Sequence, residues 1–303
     1  MEECNNSCTN QDFREYQFIR KSPRHWYVFL CIANVVLSIS AIVGNSIILI
    51  ALFQCRTIYS SSKALFYSLA LSDFGVGLIA QPLQVATGLG ALRGNLELFC
   101  SVQPFYAAVA YFFCAVSFTT TTAISIERYL ALRLGMQYRL IITVKKVTLV
   151  VALLWICSAI WAISRMWNIR INKISAIILG FSCIVITSSC YFRIYRTLRA
   201  LRTRISNEAS TRQPRYTLNM MLYRRSVNSM LAVFGLLLAC YTPYLCAIVV
   251  VACLGYSSTV VLATNLTSMV IFLNSSINPF VYCWRIREIR FKVMLIVRKL
   301  PLP

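Results

Sequence analysis

The sequence predicts an all-α protein: a bundle of seven transmembrane helices followed by a short amphipathic helix on the cytoplasmic side. Three observations predict it. Of the 303 residues 58% are hydrophobic and only 13% charged, with a mean hydropathy of +0.68, more apolar surface than a water-soluble domain can hide. Apolar runs of about 20 residues, the length needed to cross a bilayer as a helix, recur seven times along the chain. Lys and Arg cluster in the segments that fall on one side once those runs are threaded through a membrane.

The runs span residues 26–53, 63–89, 99–131, 145–167, 174–198, 226–253 and 261–284. They read as helices because lipid offers no partner to an unpaired backbone N–H or C=O. Residues 1–25 read as an extracellular tail: polar, carrying Glu2, Glu3, Asp12 and Glu15, with no secretory signal. Gln54–Ser62 and Arg133–Lys146 are inner connections, Met166–Lys173 is a tight outer one, and Arg199–Arg225 is a basic cytoplasmic loop interrupted by Ser206, Asn207, Ser210, Thr211 and Pro214. In residues 285–303, apolar and basic residues alternate from Arg285 through Val297, which suits a helix lying on an anionic inner leaflet. No repeat or second domain interrupts residues 26–284, which form one bundle.

The net charge of +21 invites a nucleic-acid partner, but its distribution argues against one. With the N-terminus outside, cytoplasmic segments hold 22 of the 30 Lys and Arg residues, the positive-inside pattern of a multi-pass membrane protein. Thirteen cysteines suggest no metal site, since no CxxC pair with matching His spacing occurs and His25 is the only histidine. Most lie within apolar spans. Cys4, Cys8, Cys100 and Cys253 fall at or near the outer face, where three complete disulfide pairings are open. Asn5-Asn-Ser7 is a glycosylation acceptor on the outer tail; Asn265-Leu-Thr267 at the rim and Asn274-Ser-Ser276 within the membrane are poor ones.

A charge at mid-membrane costs roughly 2.5–3.5 kcal/mol on insertion scales, so each one needs a reason. Asp73 sits deep in the second span, and Glu127 and Arg128 close the third. Asn45 interrupts the first span, and Asn274, Ser275, Ser276 and Asn278 the seventh. Pro243 and Pro279 each remove a helical hydrogen bond and permit a kink in the sixth and seventh.

Six short motifs, one per expected helix and in order, resemble those of the rhodopsin-like (class A) G-protein-coupled receptors, over all seven helices. Gly44-Asn45 is similar to the GN of the first helix, Leu69–Asp73 to LAxxD, Glu127-Arg128-Tyr129 to DRY, and Trp155 to the fourth-helix tryptophan. Cys240-Tyr-Thr-Pro243 stands where CWxP belongs, and Asn278-Pro-Phe-Val-Tyr282 fits NPxxY. The resemblance implies an activation switch at Glu127, Arg128, Tyr129, Tyr191, Tyr241, Pro243, Asn278, Pro279 and Tyr282. It also implies a sodium pocket at Asp73, Ser117, Asn274 and Asn278, with Asn45 nearby; a hard cation wants oxygen ligands and one carboxylate. No cofactor is required. At the base of the sixth helix the chain reads Tyr223-Arg224-Arg225 rather than an acid, so Arg128 has no ionic partner there and basal signalling is expected.

Departures from the pattern constrain the ligand. Gln103 holds the place of the usual third-helix cysteine, Cys100 lies three residues early, and Met166–Lys173 has no cysteine to pair with it. Tyr241 replaces the toggle tryptophan, and the fifth helix has no proline. These features resemble the melanocortin, lysophospholipid, cannabinoid and adenosine receptor cluster. Ala110 stands where amine receptors carry an aspartate, Phe272 where an opsin carries its Schiff-base lysine, and Ile248 where adenosine receptors carry an asparagine, which disfavours all three. The expected ligand pocket, formed by Gln84, Tyr106, Tyr111, Cys114, Tyr241, Tyr244, Leu245, Ser268 and Phe272, suits a lipid-like or small neutral ligand or a peptide side chain. Arg93, Arg165 and Arg170 suit either snorkelling to headgroups or recognition of an anionic group.

The expectation is a non-enzymatic plasma-membrane receptor that passes binding of an extracellular ligand to a heterotrimeric G protein, with membrane lipid as its surroundings. A receptor-like chain that no longer couples, and a multi-pass transporter, are the alternatives; a transporter would want several charges along a pathway, and the membrane core offers one mid-depth carboxylate.

Overall fold

A computed structural model of the chain describes residues 9–55, 60–165, 167–209 and 215–299. The helices are α1 (Asn10–Lys21), α2 (Arg24–Gln54), α3 (Ser60–Gly75), a π-helical turn (Val76–Ala80), α4 (Gln81–Arg93), α5 (Leu96–Leu134), a 3-10 turn (Gly135–Gln137), α6 (Tyr138–Ile141), α7 (Val144–Ser164), α8 (Ile169–Ala209), α9 (Arg215–Leu254), α10 (Ser258–Arg285) and α11 (Arg287–Lys299). No strand occurs among the described residues. Among the described residues, seven helices are long and apolar enough to cross a membrane: α2, the continuous α3–π–α4 rod, α5, α7, α8, α9 and α10.

The burial pattern inverts that of a water-soluble bundle. Isoleucine, valine and leucine side chains stand exposed along α2 (Ile32, Val35, Val36, Ile39) and α7 (Leu149, Leu153, Ile156, Ile160), the faces turned to lipid. Polar groups are turned inward and paired, because an orphan polar group in hydrocarbon is costly. Trp155 donates its indole N–H to Ser68 Oγ at 2.9 Å, and Ser68 bonds Thr120 at 3.1 Å, which ties α7, α3 and α5 together. Around the ring α2 packs on α3, α4 and α10, α5 reaches α3, α4, α7 and α8, and α8–α9–α10 closes it. Gly44 lets α2 approach α10, since a Cβ there would stand 2.8 Å from Cγ of Pro279. Gly77 does the same for the π turn: its carbonyl accepts from Ser38 Oγ at 2.7 Å, and a Cβ there would meet the Ala41 methyl at 2.9 Å.

At the inner end α11 folds back against the bundle. Ile289 is fully buried against Ile48, Leu52 and Tyr282, with Val293 and Ile296 packed alongside, while Phe291, Met294 and Val297 stay exposed as an apolar face beside the basic residues.

The N-terminal end departs from the expected tail. Residues 10–21 form a helix, α1, capped by Thr9, whose hydroxyl accepts from the Asp12 N–H at 3.1 Å. It lies over the bundle, packing on α4, α5 and α10. Its inward face carries Asp12, Glu15, Tyr16 and Ile19, one helical stripe. Ile19 joins Tyr27, Leu30, Phe99 and Val261 in an apolar cluster, and the Tyr16 ring meets Phe99 at 5.4 Å. Two span boundaries also shift: the fourth ends at Ser164 rather than 167, and the fifth begins at Ile169 rather than 174. The connection is this short because Asn168 caps α8, accepting from the Ile171 N–H at 3.0 Å, while Asn172 donates to the Trp161 carbonyl at 2.9 Å.

Candidate functional site

Three groups of residues, stacked along the bundle axis, carry the functional reading. The outermost is a cavity of about 130 Å³ bounded by α1, α5, α8, α9 and α10. Six of the nine expected pocket residues line it: Tyr106, Tyr111, Cys114, Tyr244, Ser268 and Phe272. Ala110, Ile248 and Phe272, the positions compared with amine, adenosine and opsin pockets, all face it.

The other three expected pocket residues lie elsewhere. Leu245 packs against α8 at Gly180, where a Cβ would stand 2.6 Å from its Cδ2. Tyr241, one turn inward of Tyr244, stacks on Phe118 at 4.2 Å with the rings 11° from parallel, so it belongs to the packed layer that Cys114 also joins. Gln84 lines a separate small cavity between α1, α2 and α4 and donates to Ser268 Oγ at 3.3 Å.

The sequence reading missed the lid. Gln11 and Glu15 of α1 close the outer end of the cavity, together with Gln103, Arg165, Lys173 and Tyr256. Asp12 and Arg165, 1% and 7% exposed, form an ion pair at 3.6 Å, and the Arg165 guanidinium lies 5.6 Å from the Tyr111 ring centre. Arg165 therefore neither snorkels nor waits for an anion. The Glu15 carboxylate accepts from the Gln103 amide at 3.2 Å. Burial raises its pKa above the usual carboxylate range; Asp12 adds to the rise, and Arg165, Lys173 and the Gln103 bond oppose it. Gln11 and Lys173 both donate to the Tyr256 hydroxyl, and the Lys173 ammonium sits 4.7 Å from the Tyr256 ring centre. Cys100 is disulfide-bonded. Cys253, expected as one possible partner, is a free thiol, while Cys4 and Cys8 lie outside the described residues, as does Asn5.

The middle group surrounds Asp73, which is fully buried. Its Oδ1 accepts from Ser117 Oγ at 3.1 Å and Ser275 Oγ at 2.7 Å, and its Oδ2 from Asn278 Nδ2 at 2.6 Å. Ser275 was not anticipated, whereas Asn274 is buried but makes no hydrogen bond to Asp73 among the described residues. Asn45 donates to the carbonyls of Ala41 at 2.9 Å and Ser275 at 3.1 Å, leaving its buried Oδ1 unpartnered.

The innermost group is built on the end of α5. Arg128 Nε lies 3.2 Å from Glu127 Oε2, and its guanidinium sits 5.7 Å from the Phe66 ring centre, which in turn meets the Tyr282 ring edge-on at 5.4 Å. Glu127 is held from below as well: Ser62 Oγ donates to it at 2.8 Å, and so does the Tyr138 hydroxyl of α6. Tyr129 points away, toward α8, where Arg193 donates to its hydroxyl at 3.4 Å, and Tyr191 stacks on Phe234 of α9 at 4.9 Å. The side chains of Tyr223, Arg224 and Arg225 lie outside the described residues.

This geometry is found in a chain whose residues 44–175 and 164–282 match the family model of the 7 transmembrane receptor (rhodopsin family). The chain belongs to that family. Among its curated relatives, the receptor is 21% identical to the histamine H2 receptor of Cavia porcellus, over 87% of this chain and 77% of the relative. It is 22% identical to adenosine receptor A3 of Ovis aries, over 88% of each chain. It is 23% identical to G-protein coupled receptor 3 of Rattus norvegicus, over 89% of this chain and 81% of the relative. The adenosine relative belongs to the cluster that the short outer loop suggested, and the histamine relative lies outside it. In the receptor, α1 covers the mouth of the cavity, at the end of the bundle opposite Arg128.

Proposed function

We propose that the receptor sits in the plasma membrane with its N-terminus outside and couples ligand binding in the α1-capped cavity to a heterotrimeric G protein. The observation that carries this reading is Arg128. It is one-quarter exposed and, among the described residues, restrained by one buried acid on its own helix, and therefore available to a partner once that acid lets go. The cavity lies at the opposite end, against the stretch of α9 that contains Pro243 and against α10, which contains Pro279. Both helices have a proline at which the backbone can flex. A ligand that fits the cavity better when α9 is displaced shifts the population toward an open inner cleft, by no more than its difference in affinity for the two states. The cavity volume favours a compact ligand, in keeping with histamine and adenosine, the small molecules in the names of two relatives. No catalytic chemistry enters this reading.

The test is basal G-protein activation in transfected cells, scanned across the G-protein families, for the native chain and Arg128→Ala at matched surface expression. Constitutive activity that the substitution abolishes is the expected result. Equal activity in both would remove Arg128 from the mechanism, and silence in both would favour a relative that no longer couples.

Sodium enters the same proposal as a modulator at Asp73. One carboxylate and the hydroxyls of Ser117 and Ser275 form an oxygen-rich donor set that suits a hard monovalent cation, and Asn45, bonded to the Ser275 carbonyl, has a further buried oxygen without a partner. Bound there, the ion would neutralise Asp73 and hold α3, α5 and α10 in the closed arrangement. Asp73→Asn is expected to abolish any effect of sodium, compared with potassium, on basal signalling; a sodium effect of native size in this variant would overturn the assignment.

A further inference from the structure

Resting on that reading, the chemistry of the cavity narrows the ligand class. Glu15 reaches the cavity from α1 with a single hydrogen-bond partner, the Gln103 amide, and neither ion pair among the described residues includes it. The two cations at the rim are already engaged, Arg165 by Asp12 and the Tyr111 ring, and Lys173 by the hydroxyl and ring of Tyr256. An anionic ligand would have to pull one of them from its partner and would meet the Glu15 charge as well. A cationic ligand finds at the entrance a carboxylate with no direct ion pair, its charge offset only at longer range by Arg165 and Lys173. Further in, the walls of Tyr106, Tyr244 and Phe272 offer aromatic faces of the kind that attract a cation. The rim already uses this affinity, since Arg165 and Lys173 both lie over tyrosine rings. Size sets the other bound. An apolar cavity of about 150 Å³ accommodates benzene, so one of about 130 Å³ holds a body of no more than a single ring, and any arm must reach outward to the rim.

We propose that the cavity binds a compact ammonium ligand, a protonated amine on a single aromatic or branched apolar body, with Glu15 of the N-terminal helix as the carboxylate that recognises the charge. The position of Ala110 on α5, in the same cavity, carries no acid, so the recognition group comes from a different element of the fold. This makes α1 part of the binding site, and the cavity incomplete without it.

The test uses the purified full-length receptor in lipid nanodiscs and reads ligand-induced shifts in thermal unfolding, without any G protein. Three probes of one shape and different charge are compared at equal concentration: phenethylamine, 2-phenylethanol and phenylacetate. Phenethylamine is expected to raise the Tm, with the alcohol and the acid giving little or no shift. Losing a charge-assisted contact is expected to weaken apparent phenethylamine affinity about tenfold or more in Glu15→Gln. Folding is controlled by the unliganded Tm. The neutral amide of Glu15→Gln can keep its contact with Gln103, so that variant is expected to melt no lower than the native chain at neutral pH. Equal shifts from all three probes, a preference for phenylacetate, no shift from any, or an amine preference that survives Glu15→Gln would each overturn the proposal. Because binding is read without coupling, these outcomes are separate from the fate of the G-protein reading.

Discussion

Replacing Arg165 by methionine is expected to release the N-terminal helix from the mouth of the cavity. Asp12 is 1% exposed and has Arg165 as its one ion-pair partner among the described residues. Removing one partner of a buried pair leaves an uncompensated charge, at a cost of about 3–5 kcal/mol. α1 packs on α4, α5 and α10 at one end of the bundle only, so the expected effect is local opening rather than global unfolding. The readout is the reactivity of Cys114, which lines the cavity, toward a membrane-impermeant thiosulfonate applied from outside and followed by peptide mass mapping. The labelling rate is expected to rise by at least about 100-fold. The double substitution Asp12→Leu with Arg165→Met exchanges the pair for two apolar residues and is expected to return the rate toward native. An unchanged rate in the single variant would mean that the ion pair does not hold the lid.

At the opposite end, Glu127→Gln is expected to raise basal signalling several-fold. Glu127 is 5% exposed and gathers Arg128 at 3.2 Å, the Ser62 hydroxyl at 2.8 Å and the Tyr138 hydroxyl. Its charge attracts Arg128 through the ion pair and strengthens the two hydroxyl hydrogen bonds, since bonds to an ionised acceptor are roughly twice as strong as neutral ones. A glutamine keeps the size and loses the charge, so Arg128 is freed at little cost in packing. Tyr138→Phe removes one donor and is expected to give a smaller rise. Burial, reinforced by the bond to Glu127 and its charge, pushes the Tyr138 phenol further above its ordinary range, so this contact does not titrate near neutral pH. The measurement is ligand-free G-protein activation at matched surface expression. Native or lower activity in Glu127→Gln would show that the acid does not restrain Arg128.

The bundle was legible because the bilayer imposes a single solution on long apolar runs, and the polar column because each charge or amide in such a run needs a partner. The lid was not legible for the complementary reason. The inward face of α1 carries Asp12 and Glu15 beside Tyr16 and Ile19, so residues 10–21 lack the apolar stripe that marks a docked helix, and only the capping Thr9 with Asp12 hints at a helix start. What they dock against, Arg165 and Gln103, lies far along the chain. Arg165 likewise offered two readings in sequence, and its partner came from a segment read as a tail. Within the bundle, the expected and observed placements differ by rotation. Adjacent helical residues point about 100° apart, so the seventh-helix motif locates the stretch that faces Asp73 but does not say that Ser275 rather than Asn274 turns toward it. The same ambiguity placed Leu245 in the cavity, where it instead fills the notch left by Gly180.

The central claim, that this receptor drives nucleotide exchange through Arg128, is tested most directly by reconstitution. Purified receptor in nanodiscs is mixed with purified heterotrimers, one G-protein family at a time, and GDP release is measured for the native chain, Glu127→Gln and Arg128→Ala. The account predicts acceleration by the native chain on at least one heterotrimer, greater acceleration by Glu127→Gln on the same one, and none by Arg128→Ala. Exchange that Arg128→Ala leaves intact, or a full panel of heterotrimers untouched even by Glu127→Gln, would contradict it.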